Sequence, residues 1–449
     1  MINLFEYFDK QSQTLYDTLR LAGHTYETIV LEDDGFLPEH IITPYRFFAN
    51  YQAPEHATAR YFNQVPIPRY WEIAGNNDSA TVKDIGKLRA NIRYYRSNKP
   101  RIVSHVEWLD RLERLQCVDH YTQHGVRFAQ TFYDLSGKRI FRKYLDQQGA
   151  EVIYENFVAQ AVILNWQGKA HHFNNKVQFI QFFLQALGKD LNGFVINSLG
   201  LPFSVLYRLE TPGKDLVFWQ EQSNGQVPGN MSLILKGGHT REYCVIVPEN
   251  QEYETLKQHV DEDAQQHLFS AGYLYDYARK NTYTANVLTM TNSDQIHHLE
   301  AIVEACPKAT FHIGAVTEMS DKLTAMDRYP NVKLFPTIER ATVDKLYQSC
   351  DVYLDINEGG EIINALQRAF EHDLLIMGYH ENAHNLGVTA RENLFDKEGN
   401  AAQLIQALKD IQLKKRYFKV RHDYQKAHVH EITTKGFNAV MERVTNKKG

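Results

Sequence analysis

A chain of 449 residues, 43% hydrophobic and 23% charged, has the size of about three globular domains and excludes both a disordered polymer and a bundle of membrane helices. Its net charge of −5 speaks against a nucleic-acid protein, whose phosphate-neutralising surface shifts the balance to basic. The 26 Tyr and 24 Phe favour strands and a contact surface.

The opening MINLFEYFDKQSQ places acidic residues where a signal peptide carries its positive region, and it lacks a sustained apolar run. No stretch reaches the roughly 20 apolar residues that span a bilayer. Cys117, Cys244, Cys306 and Cys350 lie far apart without CxxC or Cys/His ligand spacing, and read as reduced thiols of a cytoplasmic chain.

Residues 1–70 and 176–255 mix helical and strand patterns, among them VQFIQFFLQALG, GFVINSLG, DLVFWQ and YCVIVP. They are expected to form one discontinuous α/β domain. Between them, 71–175 reads as an inserted antiparallel β-meander, clearest from about residue 105. Its aromatic and β-branched runs are punctuated by the turn signals Ser136-Gly137, Gln148-Gly149 and Gln167-Gly168. Arg139, Arg142 and Lys143 interleave with Phe141 and Tyr144, so at least one face is expected to meet solvent or a partner.

In 256–449, from about residue 284, the runs ANVLTM, TFHIGA, NVKLF, DVYLDI and LLIM read as strands. Between them, Val343, Leu346, Tyr347 and Cys350 fall at i, i+3, i+4, i+7, and Ile362, Ala365, Leu366, Ala369 and Phe370 continue the rule one helix later. This is the pattern of a parallel, doubly wound sheet, which binds ligands at the carboxyl ends of its strands.

At one such end stands NEGGE, residues 357–361. Retaining glycosyltransferases with two Rossmann domains commonly place two Glu eight positions apart around such a turn, and a Lys/Arg pair after the domain's first strand. Glu358 with Gly359 and Gly360 matches the start of that pattern, but eight positions on stands Leu366, a residue of the apolar stripe. Glu361 is expected in the first turn of the helix, neutralising its positive end and repelling a diphosphate. After the first strand, TNSDQ offers Asn292 and Gln295 where cations are needed, and neither can stabilise developing phosphate charge. A retained scaffold is favoured over a working donor site; a plain tight connection fits the turn equally well. DED at 261–263 and EDDG at 32–35 read as a helical polar face and a turn rather than a metal site, and the His pairs 171–172 and 297–298 as surface or strand residues. The basic segment 413–426 suits a solvated helix and an anionic membrane or partner about equally.

With FHIGAVTEMSDKLTAMDRYPNVKLFP, YLDINEGGEI and the opening FEYFDKQSQTLYDTLRLAGHTYETIVLEDDGFLPEHIITPYRFF, the chain resembles, over its full length, the glycosyltransferase-stabilising B subunits of the accessory Sec system of Gram-positive bacteria. The resemblance implies two Rossmann-like domains of the GT-B type with an inserted antiparallel β-meander. It implies no transferase activity alone and no cofactor. The partner is a catalytic A subunit, in a heterodimer or heterotetramer, that carries GlcNAc from UDP-GlcNAc to Ser/Thr of serine-rich repeat adhesins. The expected location is the cytoplasm, with the inner face of the cell membrane as a second place.

On this reading Asn292, Gly314, Glu358, Gly359, Gly360 and Glu361 form a degenerate donor cleft. The meander is the feature that needs a function, and its candidates for holding an extended acceptor are Tyr133, Phe141, Arg142, Tyr144 and Tyr154. A sheet that merely packs on its own domain or on the A subunit has equal standing. Two other functions stay open: an active retaining transferase using Glu358 or Glu361, and a lectin-like binder of glycosylated chains.

Overall fold

The computed structural model describes residues 1–53, 58–95, 101–398 and 401–446. Its contacts divide the chain into two compact units, Met1–Ser270 with the chain from Val440 onward, and Ala271–Ala439.

The first unit holds a parallel sheet in the order Leu268–Ser270, Arg241–Val247, Gly213–Phe218, Phe194–Ile196, Ile2–Phe5, Glu27–Val30. INLF and FVI are buried at every position because both faces of these central strands are covered, and the one polar residue among them, Asn3, donates from Nδ2 to Thr28 Oγ1 at 3.0 Å. Helix Lys10–Leu21 starts at Asp9, whose side chain accepts from the Ser12 N–H at 2.9 Å. Helix Lys176–Ala186 starts at Asn175, which accepts from the Gln178 N–H at 3.0 Å. Each cap satisfies an amide the helix leaves unpaired.

Between these elements runs a ten-stranded antiparallel meander, from Glu72–Gly75 to Lys169–Phe173, each strand paired with its neighbours in sequence. It therefore begins three strands before the clear signal at about residue 105. Ser79–Asp84 and Lys87–Tyr94 do alternate, burying Ala80, Val82, Ala90 and Ile92, but Lys83, Asp84, Lys87, Arg89 and Arg93 dilute the pattern. Its later strands are held to the parallel sheet by aromatic packing: Phe48 meets Trp166 at 5.3 Å and Phe179 at 5.7 Å, with Phe183 fully buried beside them. Each such ring contributes about 1.5–3 kcal/mol by leaving water.

The second unit holds a parallel sheet in the order Val332–Phe335, Thr310–Ala315, Asn286–Thr291, Val352–Asp355, Leu375–Tyr379, Leu394–Phe395. Numbered along the chain this is 3-2-1-4-5-6, the doubly wound Rossmann order, and its switch point lies between Asn286–Thr291 and Val352–Asp355. The five strands expected here are present; the two-residue Leu394–Phe395 is too short to show in a pattern. Val343, Leu346 and Tyr347 form the buried face of helix Arg340–Ser349, and Cys350 is buried one residue beyond it. The basic segment forms most of helix Lys415–His428, which buries Phe418, His422 and Gln425. Among the described residues no helix is long and apolar enough to cross a membrane.

Candidate functional site

The switch point of the second unit brings Thr291-Asn292-Ser293 beside Ile356-Asn357-Glu358. The two loops are joined to each other: the His297 N–H donates to the Ile356 carbonyl and the Glu358 N–H to the Gln295 carbonyl, each at 2.9 Å. A Cβ on Gly359 would overlap Asn292 Oδ1, so glycine is what lets the loops close on one another.

Glu358 is half-exposed and held on one oxygen by His297 Nε2 at 2.6 Å and Lys397 Nζ at 2.8 Å. Lys397 first, and then His297, hold its carboxyl below the usual carboxylate range. The ammonium that reaches the turn, Lys397, is thus already paired with a carboxylate.

Gly359 is fixed from the other side. Its carbonyl accepts from Asn357 Nδ2 at 2.9 Å and from His384 Nε2 at 2.7 Å. His384 Nδ1 meets Asp355 Oδ1 at 2.6 Å, and the His384 N–H donates to Asp355 Oδ2 at 2.9 Å. A carboxylate and a carbonyl both accept, so both ring nitrogens carry protons and His384 is an imidazolium. The hydrogen bond to the fully buried Asp355 raises His384 above the ordinary imidazole value.

Glu361 does not lie in the helix. The helix is Ala365–Glu371, and Glu361 precedes it, its Oε1 accepting from the Leu366 N–H at 2.9 Å. The expected neutralisation of the helix end is made by this cap, from outside the first turn. Leu366 is 1% exposed, a core residue. Gly314 is buried opposite Met290, where a Cβ would come within 2.7 Å of the Met290 sulfur; it allows close packing inside the sheet. Gly360 faces open space. The structure thus brings Asn292, Glu358 and Gly359 together, with Glu361 at the helix start. The sequence reading does not include His297, Lys397 and His384 among the site residues, and takes His297 as a surface or strand residue. Among the described residues no group of His, Cys, Asp and Glu could hold a metal ion.

On the meander, strand Arg139–Leu145 separates the candidates by face. Arg142 and Tyr144 turn inward: Tyr144 is buried against Tyr45 and Phe128, and burial pushes its hydroxyl up to about 12. Arg142 Nε donates to Thr131 Oγ1 at 2.8 Å and a terminal nitrogen lies 3.7 Å from Glu32. Phe141 and Tyr154 lie on the opposite, partly exposed face in a ladder of stacked rings, Phe132 to Phe141 at 4.6 Å and Phe141 to Tyr154 at 5.3 Å. Tyr133 ends its strand beside a register shift.

Four family descriptions match successive segments: the GtfB N-terminal domain over 2–48, the GtfB middle domain over 71–174, the GtfB third domain over 176–259, and the GftB/GlyA-F C-terminal domain over 287–425. The chain is 38% identical, over 92% of both sequences, to the UDP-N-acetylglucosamine–peptide N-acetylglucosaminyltransferase stabilizing protein GtfB of Streptococcus agalactiae. It belongs to the GtfB family. The GtfB of Limosilactobacillus reuteri subsp. suis is 32% identical over 98% of this chain and 99% of that protein. A chain in the crystal structure of a GtfA/B complex bound to UDP and GlcNAc superposes with a TM-score of 0.88 at 35% identity, covering 98% of this chain and 99% of that one. TarM, at 11% identity and a TM-score of 0.50, shares the fold alone. The GtfB-family chain thus has the GT-B type of fold, with two parallel Rossmann-like sheets and an antiparallel meander.

Proposed function

We propose that this chain is the non-catalytic, stabilising subunit of a protein O-GlcNAc transferase whose catalytic partner uses UDP-GlcNAc, and that it helps recognise the acceptor, Ser/Thr of serine-rich repeat adhesins exported by the accessory Sec system. The observation that carries the reading is the filled switch point. Its carboxylate is neutralised by Lys397 and touched by His297, its glycine carbonyl is held by His384, and its second carboxylate position is the core residue Leu366. A donor site needs free cations for the leaving diphosphate. The relatives named for stabilising a peptide N-acetylglucosaminyltransferase, and the GtfA/B complex, support the same reading.

The outer face of the meander supports acceptor recognition. Phe141 and Tyr154, with Lys143 beside them on the same face, present aromatic surface at low entropic cost, suited to an extended chain of small side chains. Co-expression with the catalytic subunit tests the whole reading. The two are expected to co-purify, and the catalytic subunit alone to be less soluble and less active. Equal activity and thermal stability without this chain would contradict it.

The cell membrane enters on one further observation. Four alternate hairpins of the meander turn at the same end of the sheet, and each tip carries an exposed aliphatic residue: Ile85 at 93%, Leu112 at 72%, Leu135 at 75% and Val158 at 75%. Strand spacing puts successive tips about 10 Å apart, a row that suits peripheral contact with a bilayer interface. Flotation with anionic vesicles should carry the complex and lose it when all four are replaced by serine; flotation unchanged by the replacements would remove the membrane from the reading.

A further inference from the structure

Helix Lys415–His428 in the second unit is apolar on two sides. Its inner side is fixed by buried groups: Phe418 packs in the core, His422 Nε2 meets Asp373 Oδ1 at 2.9 Å, and the Gln425 side chain accepts from the Ile376 N–H at 2.8 Å and donates to the Leu374 carbonyl at 2.9 Å. The side of a surface helix that turns away from the core is ordinarily polar. Here it carries Tyr417, Val420, Tyr424 and Ala427, all exposed. Leu413, exposed at the end of the preceding helix, and Leu386, exposed with its carbonyl held by His428 Nε2 at 2.7 Å, stand next to the two ends of this row.

Positions 417, 420, 424 and 427 are separated by three, four and three residues, the a and d spacing of a heptad seam, and the row runs about 15 Å along the helix. Such a seam is made to receive a second helix. Its charge says which kind: Lys414 and the helix together carry four lysines and two arginines against one aspartate, in a chain of net charge −5. Arg416 and Arg421 flank the row on its two sides, at the positions that set partner choice in paired helices. Arg416 lies over the Tyr417 ring at 4.8 Å, Lys415 over Tyr283 at 4.4 Å, and Arg421 over Phe395 at 5.0 Å while donating to the Glu392 carbonyl at 3.0 Å. These contacts are to rings and a carbonyl, and burial holds Arg421 below the ordinary guanidinium range. Carboxylates brought by a partner would strengthen every one of them. A bilayer calls for a broad apolar face of Trp, Phe and Leu, whereas tyrosine and arginine along a narrow row are the residues of protein contacts.

We propose that this face docks an acidic amphipathic helix of another protein, whose apolar seam lies on Tyr417, Val420, Tyr424 and Ala427 and whose glutamates or aspartates meet Arg416 and Arg421. The face lies wholly in the second unit and involves neither the switch point nor the meander. Because Phe418, His422 and Gln425 anchor the inner side, the outer side is presented ready-made, which lowers the cost of binding. Val420 and Arg416 are both exposed, so a substitution at either changes the surface without entering the core.

The probe is a labelled helical peptide of three heptads, with leucine at a and d and glutamate at e and g, titrated by fluorescence anisotropy into the full chain alone and into the co-purified complex. It should bind the chain, and the same peptide with lysine at e and g should not. Val420→Glu, which sets a charge in the seam, should weaken the acidic peptide about tenfold or more with the Tm unchanged. Arg416→Glu should weaken it by up to about fivefold and gain binding of the lysine peptide. With these losses seen, acidic-peptide binding to the chain alone but not to the complex assigns the docked helix to the catalytic subunit, and binding to both assigns it to a further protein. Equal binding of the two peptides, binding of neither by the chain alone, or Val420→Glu holding the acidic peptide as tightly as the unaltered chain overturns the proposal. If Val420→Glu keeps that affinity and instead loses flotation with anionic vesicles, the face belongs to the bilayer and not to a helix.

Discussion

His384 ties the Gly359 turn to the buried Asp355 only while both its nitrogens carry protons. Because its folded-state value is raised, the contact stabilises fully below about pH 6.5, the value of a free imidazole, and fades as pH rises through the folded value. His384→Ala should therefore lower the Tm more at about pH 6 than at about pH 9, read by thermal denaturation; equal losses would mean a neutral ring. Glu358 makes a different case. Its charge is spent on Lys397 and His297, so Glu358→Gln should leave GlcNAc transfer by the complex nearly unchanged. A fall of about a hundredfold or more, the loss expected for a group that stabilises a transition state, with assembly intact, would make Glu358 catalytic. None of these partnerships is legible in the sequence, since His384 lies 29 residues from Asp355 and Lys397 lies 39 from Glu358. The Glu-Gly-Gly turn and the misplaced Leu366 are local and could be read directly.

At the scale of elements, the helix Ala365–Glu371 explains why the second carboxylate is not easily restored. Leu366 packs with Tyr347, Ala369 and Phe370, and Leu366→Glu would place a charge there without a partner, at a cost of several kcal/mol. The variant should lose Tm steeply and gain no affinity for UDP-GlcNAc; a stable variant that binds the nucleotide sugar would show that the site needs only that side chain. The two faces of strand Arg139–Leu145 make a matched pair. Tyr144→Ala empties a core position and should cost about 3–5 kcal/mol of stability. Phe141→Ala, on the outer face, should leave the Tm roughly constant and weaken acceptor binding by about 1–2 kcal/mol; unchanged binding would return the outer face to a packing role. Alternation in the sequence separates these faces but does not say which is inside, because aromatic residues occupy both. That assignment comes from Tyr45 and Phe128, which the fold brings to Tyr144 from other segments. Strand-helix alternation from Asn286 onward was plain because buried parallel strands are apolar throughout, whereas the charge-rich strands Ser79–Asp84 and Lys87–Tyr94 blurred the start of the meander.

The whole molecule combines Rossmann-like parallel sheets, a switch point closed by the chain's own side chains, and a ten-stranded antiparallel sheet with an aromatic outer face. On the proposed function, apolar surface exposed in the free subunit would be covered in the complex. Whether the nucleotide sugar belongs to the partner and not to this chain is decided by titration calorimetry of UDP-GlcNAc into the isolated protein. No stoichiometric heat of binding is expected at micromolar to millimolar ligand, because the ammonium at the switch point, Lys397, is already paired with Glu358. Saturable one-to-one binding in the micromolar range would contradict that expectation.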